Sequence, residues 1–196
     1  KLFSIIVLYK PKLDDFKRVL SANQNNFTDI ILVNNSPEIS IEFFKSSQVT
    51  IINNPDNFGL AIALNIGILE AKKQGAEMVA LFDQDTMLHD DFSKNMLKHI
   101  NAYQGDKKPA LFSPVFFNNV TDDYGTIINL KPFRLIRSKP NKQKSIIHPQ
   151  YVITSGSFIP IDVLDDVGLM CEELFIDFVD IEWCLRARLK SYEIVS

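Results

Sequence analysis

Val79-Ala80-Leu81-Phe82-Asp83-Gln84-Asp85 decides how the rest of the chain is read. Four apolar residues run straight into two carboxylates separated by one residue. A short apolar run bounded by charge predicts a buried strand, with Asp83 and Asp85 where it leaves the sheet. Side chains alternate along a strand, so residues i and i+2 point the same way. If that alternation persists to the tip, both carboxylates face one spot beyond the sheet edge. Like charges that close repel, and a divalent cation or a shared proton relieves them. In isolation a D-x-D is more often an acidic strand-to-helix turn, because short motifs match by chance.

Upstream, Phe3-Ser4-Ile5-Ile6-Val7-Leu8 predicts a buried strand, and Leu13, Phe16, Val19 and Leu20 recur at helical spacing after Pro11. Asp29–Val33 and Gln48–Ile52 predict two further strands, each ending in an asparagine-rich turn, Asn34-Asn35 and Asn53 to Asn57. Leu60, Leu64, Ile68 and Ala71 stripe a helix that closes near Gly75. Downstream, Phe92, Met96, Ile100 and Tyr103 share a helix face that Asp90 or Asp91 can cap. The alternation predicts an α/β fold, a mostly parallel central sheet with helices on both faces. In such sheets ligands bind beyond the carboxyl ends of the strands. The tips at Tyr9-Lys10, Asn34-Asn35, Asn53 to Asn57 and Asp83 to Asp85 all fall there, which turns a chance motif into a candidate site.

After a strand at Ala110–Ser113 the helical period stops. Residues 131–148 carry Lys131, Arg134, Arg137, Lys139, Lys142 and Lys144 with no acid among them, and read as a solvated, mobile loop or a basic flap. Val152 to Pro160 predicts a strand broken by Ser155-Gly156-Ser157, and glycine in a strand marks close approach of a ligand or backbone. Ile161 to Leu185 contains no Lys or Arg. There Asp180 is expected to cap a helix carrying Trp183, Arg186 and Leu189, with Glu182 pairing Arg186.

With 196 residues, 46% hydrophobic and 23% charged, the chain suits one domain with a real core. A net charge of −3 offers no general attraction to nucleic acid or anionic membrane. Cys171 and Cys184 lack metal or redox spacing and read as packed, reduced thiols, as in a cytosolic protein. His89, His99 and His148 are scattered, with only His89 close to the D-x-D. Nucleophilic-serine, Walker and Rossmann motifs are missing. The chain starts without Met and stops at Ser196 just after a strand start, so further residues beyond Ser196 are expected. What remains is a divalent ion on carboxylates, which completes its shell with phosphate oxygens and stabilises a departing diphosphate. A later carboxylate could deprotonate an attacking hydroxyl.

The order of Ser4 to Tyr9, Ile31 to Ser36, Asn57 to Gly67 and Leu81 to Asp85 resembles glycosyltransferase family 2, of the GT-A fold. Glu173 to Arg188 is similar to its bacterial rhamnosyltransferases. The resemblance implies a GT-A domain over residues 1–196, with 1–105 as nucleotide-sugar half and 106–196 as acceptor-side half. It implies inverting, metal-dependent transfer of L-rhamnose from dTDP-rhamnose to a saccharide or lipid-linked acceptor of a surface polysaccharide. It implies no nucleic-acid partner, and a cytoplasmic setting with peripheral association at the inner face of the bacterial membrane compatible. Mg²⁺ or Mn²⁺ would sit on Asp85 and Asp83, the latter shared with the donor ribose. Tyr9, Asn34, Asn35, Asn57, Gly59, Asn65 and Gln84 would line the donor, with Asn34 where the family usually has a base-contacting Asp. Ser155, Gly156, Ser157, Trp183 and Arg186 would lie on the acceptor side, and Asp180, or else Asp177, would be the base. Two rivals are a haloacid-dehalogenase-like phosphohydrolase, whose D-x-D-x-T belongs on the first strand, and a non-catalytic sugar-binding domain.

Overall fold

In the computed structural model of the chain the apolar runs pair into a seven-stranded sheet. The structure describes residues 1–115, 117–118, 122–125, 127–131, 134–140 and 146–196. In chain order the elements are β1 (Leu2–Leu8), α1 (Leu13–Asn26), β2 (Asp29–Asn34), β3 (Val49–Asn53), α2 (Gly59–Lys73), β4 (Met78–Asp83), α3 (Phe92–Ala102) and β5 (Pro109–Phe112). A short 3-10 turn at Glu42–Phe44 stands between β2 and β3. Next come β6 (Phe117–Asn118), β7 (Asp123–Tyr124), β8 (Ile127–Lys131), β9 (Arg134–Ser138), β10 (Ser157–Pro160), α4 (Ile161–Val167), α5 (Val179–Leu189) and β11 (Glu193–Val195).

The sheet order is β11-β5-β10-β4-β1-β2-β3. β10 runs antiparallel to β4 and β5, and the other pairings are parallel. The order reverses beside β1, where β2 and β3 leave one way and β4 the other, opening a crevice at the carboxyl ends. Register levels the tips: Leu8 lies opposite Asn34, Val7 opposite Asp83, and Asn34 opposite Asn53.

Strand alternation builds two cores. Ile5, Val7, Ile31, Val33, Val79 and Leu81 pack toward α2, α4 and α5. Ile6, Leu8, Ile30, Leu32, Ala80 and Phe82 pack toward α1 and α3. Gly67 lets α2 close on the sheet, since a Cβ there would stand 2.6 Å from the Ile5 side chain. The cysteines are free, and burial pushes the Cys184 thiol up to about 12, which leaves it an inert core residue.

Four local expectations change. Asp91 precedes α3 but makes no side-chain cap; Asn26 accepts the Ser93 N–H instead, at 2.9 Å, because α1 lies against that helix end. The strand expected from Val152 starts only at Ser157, because Gly156 at φ +85° turns the chain first. Part of the expected basic loop is an antiparallel hairpin, β8 with β9. Lys139 there pairs with Asp123 at 2.5 Å, while Lys142 and Lys144 lie outside the described residues. Asp180 lies inside the first turn of α5, whose cap position is Phe178.

Candidate active site

The carboxylate pair is arranged differently from a continued strand. β4 ends at Asp83, and Gln84-Asp85 turn away, with the Thr86 N–H on the Asp83 carbonyl at 3.2 Å. The carboxylates stay close because the turn folds back, not because alternation persists. Gln84 fastens this turn to the tip of β1: its amide oxygen accepts the Tyr9 N–H at 2.9 Å, and its amide nitrogen donates to the Tyr9 carbonyl at 3.1 Å. Tyr9 itself is exposed, with Lys10 over its ring.

The segment Thr154 to Gly156 bridges from this turn to α5. The Asp83 N–H donates to Ser155 Oγ at 3.1 Å, Ser155 Oγ and Thr86 Oγ1 share a hydrogen bond of 2.6 Å, and the Gly156 N–H reaches the Leu81 carbonyl. On its other side Thr154 lines the same small cavity as Asp180, whose carboxylate accepts the Ile181 N–H at 2.8 Å. Part of the Asp83 side chain reaches solvent, yet its pKa is raised, first by desolvation, then by the charges of Asp85 and Asp180. Desolvation likewise raises Asp180 against its backbone donors. Asp83 and Asp85 therefore form one electrostatic group with Asp180, which is far from them in sequence. Asp177 is exposed in the loop before α5.

The asparagines behave otherwise. Asn34, expected at a nucleobase, is 1% exposed; its amide donates to the Ile39 carbonyl and Asn53, and its oxygen accepts the Ser36 N–H. Asn35 joins Asn54 to the Gly59 carbonyl, and Asn65 joins α2 to Met170 and Glu172. Asn57 caps the α2 entry through the Gly59 N–H at 3.0 Å. Gly59 sits at φ +80°, and a Cβ there would lie 2.5 Å from the Phe175 ring. These residues brace the edge, while Tyr9 at the tip of β1 is exposed.

Trp183 and Arg186, expected near an acceptor, are structural. Trp183 is 1% exposed with Nε1 on the Gly168 carbonyl. Arg186 is held by both Glu182 oxygens and the Val167 and Leu169 carbonyls. Leu189, expected on the same helix stripe, is 88% exposed. Pattern reading also missed Thr86, Thr154 and the exposed Phe175, Ile176 and Phe178. An apolar cluster without helical period inside an acidic segment was the available signal for the last three.

His89 is exposed, and no three His, Cys, Asp or Glu side chains among the described residues form a complete metal cage. Crowded carboxylates at an open edge nevertheless suit Mg²⁺ or Mn²⁺, which are held by one or two carboxylates plus phosphate oxygens. The repulsion that raises Asp83 is what such a cation would relieve.

The profile of glycosyl transferase family 2 matches residues 4–159. The chain belongs to that family. It is 30% identical over 189 residues to the dTDP-rhamnosyl transferase RfbF of Shigella flexneri, an alignment covering 94% of this chain and 62% of that protein. The chain thus spans about three fifths of that relative's length. Among solved structures, GalNAc-T7 with UDP, GalNAc and Mn²⁺ superposes with a TM-score of 0.77 at 12% identity, over 100% of this chain and 42% of that one. S. aureus TarS with UDP-GlcNAc gives 0.66 at 14%, over 96% and 53%. The fold is the GT-A fold of these glycosyltransferases, and family membership sets aside the phosphohydrolase reading. The family match ends before α5, so Asp177 and Asp180 lie beyond it.

Proposed function

We propose that the chain is the catalytic domain of an inverting, metal-dependent glycosyltransferase that moves L-rhamnose from dTDP-rhamnose to a saccharide acceptor in surface polysaccharide synthesis. The observation that carries the reading is the segment Thr154 to Gly156, which is bonded to the Asp83-Gln84-Asp85 turn through Ser155 and lies beside Asp180 at Thr154. The choice of rhamnose and thymidine rests on the relative named as a dTDP-rhamnosyl transferase.

Residues 1–105 take the donor and 106–196 the acceptor. Tyr9 offers its exposed ring at the nucleobase end, and Gln84 keeps that ring's backbone level with the carboxylates. Asn34, Asn35, Asn57, Gly59 and Asn65 hold the edge in shape. Asp83 and Asp85 would hold the divalent cation, with Asp83 also near the ribose. When bound, that cation supplies charge to stabilise the leaving diphosphate. Asp180 accepts the proton of the acceptor hydroxyl as its oxygen bonds to the anomeric carbon. The bond from that carbon to the diphosphate oxygen breaks with its electron pair. A raised pKa suits Asp180 to this work, since a stronger base accepts a proton more readily. Direct displacement inverts the anomeric centre and needs no protein nucleophile.

A lipid-linked acceptor would bring the protein to the inner face of the cytoplasmic membrane peripherally; no helix among the described residues is long and apolar enough to cross it. The test is release of nucleoside diphosphate from dTDP-rhamnose with Mn²⁺, beside p-nitrophenyl phosphate hydrolysis. Release from the nucleotide sugar alone is expected. Phosphatase activity without it, or neither activity, contradicts the reading.

A further inference from the structure

The loop entering α5 carries Phe175, Ile176 and Phe178, respectively 47%, 58% and 65% exposed, beside Asp177 and two residues before Asp180. Three large apolar side chains together in solvent are not explained by folding. The backbone compounds this. Phe178 at φ +66° occupies the left-handed region and Phe175 at φ +55°, ψ −69° the centre of a γ-turn, conformations that bulky side chains avoid and that are retained where the surrounding structure over-determines them. The fixing contacts are present: the Phe175 carbonyl accepts the Ala61 N–H at 3.1 Å, its ring fills the space over Gly59, and the Phe178 carbonyl accepts the Glu182 N–H at 2.8 Å. Both ends of the loop are pinned; the Phe175 ring lies partly over Gly59, and the Phe178 ring is largely exposed.

The geometry points to a binding platform for the neutral pyranose rings of the acceptor, with Phe178 as its principal stacking face and Phe175 and Ile176 flanking it. This deepens the proposed function and rests on its reading that the acceptor hydroxyl reaches Asp180. A pyranose has an apolar C–H face and a hydroxyl rim. The loop offers aromatic faces for the first, and exposed Glu173 and Asp177 carboxylates as acceptors for the second. Residues 161–185 contain no Lys or Arg, and Arg186 is taken by Glu182, so phosphate or an anionic headgroup meets repulsion here.

Phe178→Asn is the decisive variant, because Asn tolerates the left-handed conformation and so removes the ring without adding backbone strain. Phe178→Tyr keeps the stacking face. Saturation-transfer NMR with methyl α-L-rhamnoside, methyl β-D-glucoside and methyl N-acetyl-β-D-glucosaminide, without donor, reads this platform independently of catalysis. At least one glycoside binds the wild type and Phe178→Tyr, and its affinity falls about tenfold in Phe178→Asn, with the melting temperature held or raised. Unchanged affinity in Phe178→Asn overturns the proposal, as does failure of all three glycosides to bind the wild type. Binding of the wild type to phosphatidylglycerol vesicles that is lost in Phe178→Asn also overturns it, by assigning the loop to a membrane. Because donor turnover is a separate assay, the proposed reaction can stand when this platform falls, and the reverse.

Discussion

The asparagine-rich edge of β2, β3 and α2 and the loop entering α5 meet at one crevice but are built in opposite ways. At the edge, Asn34, Asn35 and Asn65 are buried and their amides are spent on neighbouring backbone and side chains. At the loop, Phe175, Ile176, Asp177 and Phe178 are exposed, and Phe175 and Phe178 both have positive φ. Buried polar groups are tolerated only when fully paired, so the edge is rigid and its residue types are structural. Exposed apolar groups on a strained backbone stabilise little, so what they contribute is expected in binding and catalysis. Substitutions on the two sides should therefore separate into losses of stability and losses of activity.

The largest split is expected at Asp180→Asn. Loss of the base should cut transfer about 10²–10⁴-fold, with dTDP affinity within about twofold, and Asp177→Asn should leave transfer largely intact; the reverse pattern would make Asp177 the base. Stability should move the other way. Asp180 has a raised pKa in the fold, so its contribution is largest below the ordinary carboxylate value of 3.8, declines as pH rises through the folded pKa, and stays lower above it. Neutral Asn escapes that decline, so thermal unfolding at pH 7 should show an equal or higher melting temperature. The same shift displaces the acid limb of the kcat/KM profile above the position of an unperturbed carboxylate.

On the edge side, Asn34→Asp replaces a donor to the Ile39 carbonyl and Asn53 with a buried carboxylate lacking a cation. A cost of about 3 kcal/mol is expected by urea unfolding, since an uncompensated buried charge is left. An unchanged midpoint would break the contrast by showing that this edge has freedom to rearrange. Between the two regions, Ser155→Ala removes the acceptor of the Asp83 N–H and the partner of Thr86. A fall in kcat of about tenfold is expected, because small misplacements of reacting groups are costly, with little change in unfolding midpoint. The smallest effect belongs to Leu189→Ser, at 88% exposure, where unfolding should stay within about 0.5 kcal/mol of wild type.

The parallel half was legible because its signals are local. β1 to β4 each announce themselves by an apolar run and a turn, and parallel order then brings their tips together. Asp83, Asp85 and Asp180 were recognisable as candidates, but their grouping was not, since it depends on a bridge from Ser155 to Asp83 across 72 residues. The asparagines misled for a physical reason: an amide at a strand tip serves a ligand or a neighbouring loop equally well, and only burial distinguishes the two. Trp183 and Arg186 misled similarly, as helix residues whose partners, Gly168, Val167 and Leu169, lie across a turn that no periodicity records. Phe178 escaped because a positive φ at a bulky residue has no signature in sequence.

The central claim, that the turn Asp83-Gln84-Asp85 holds a nucleotide diphosphate through a divalent cation, is tested most directly by calorimetric titration of dTDP, UDP and GDP with and without Mn²⁺. Mn²⁺-dependent binding of dTDP is expected, lost in Asp85→Ala and retained in Asp180→Asn. No binding across the three nucleotides, or wild-type affinity in Asp85→Ala, would contradict it.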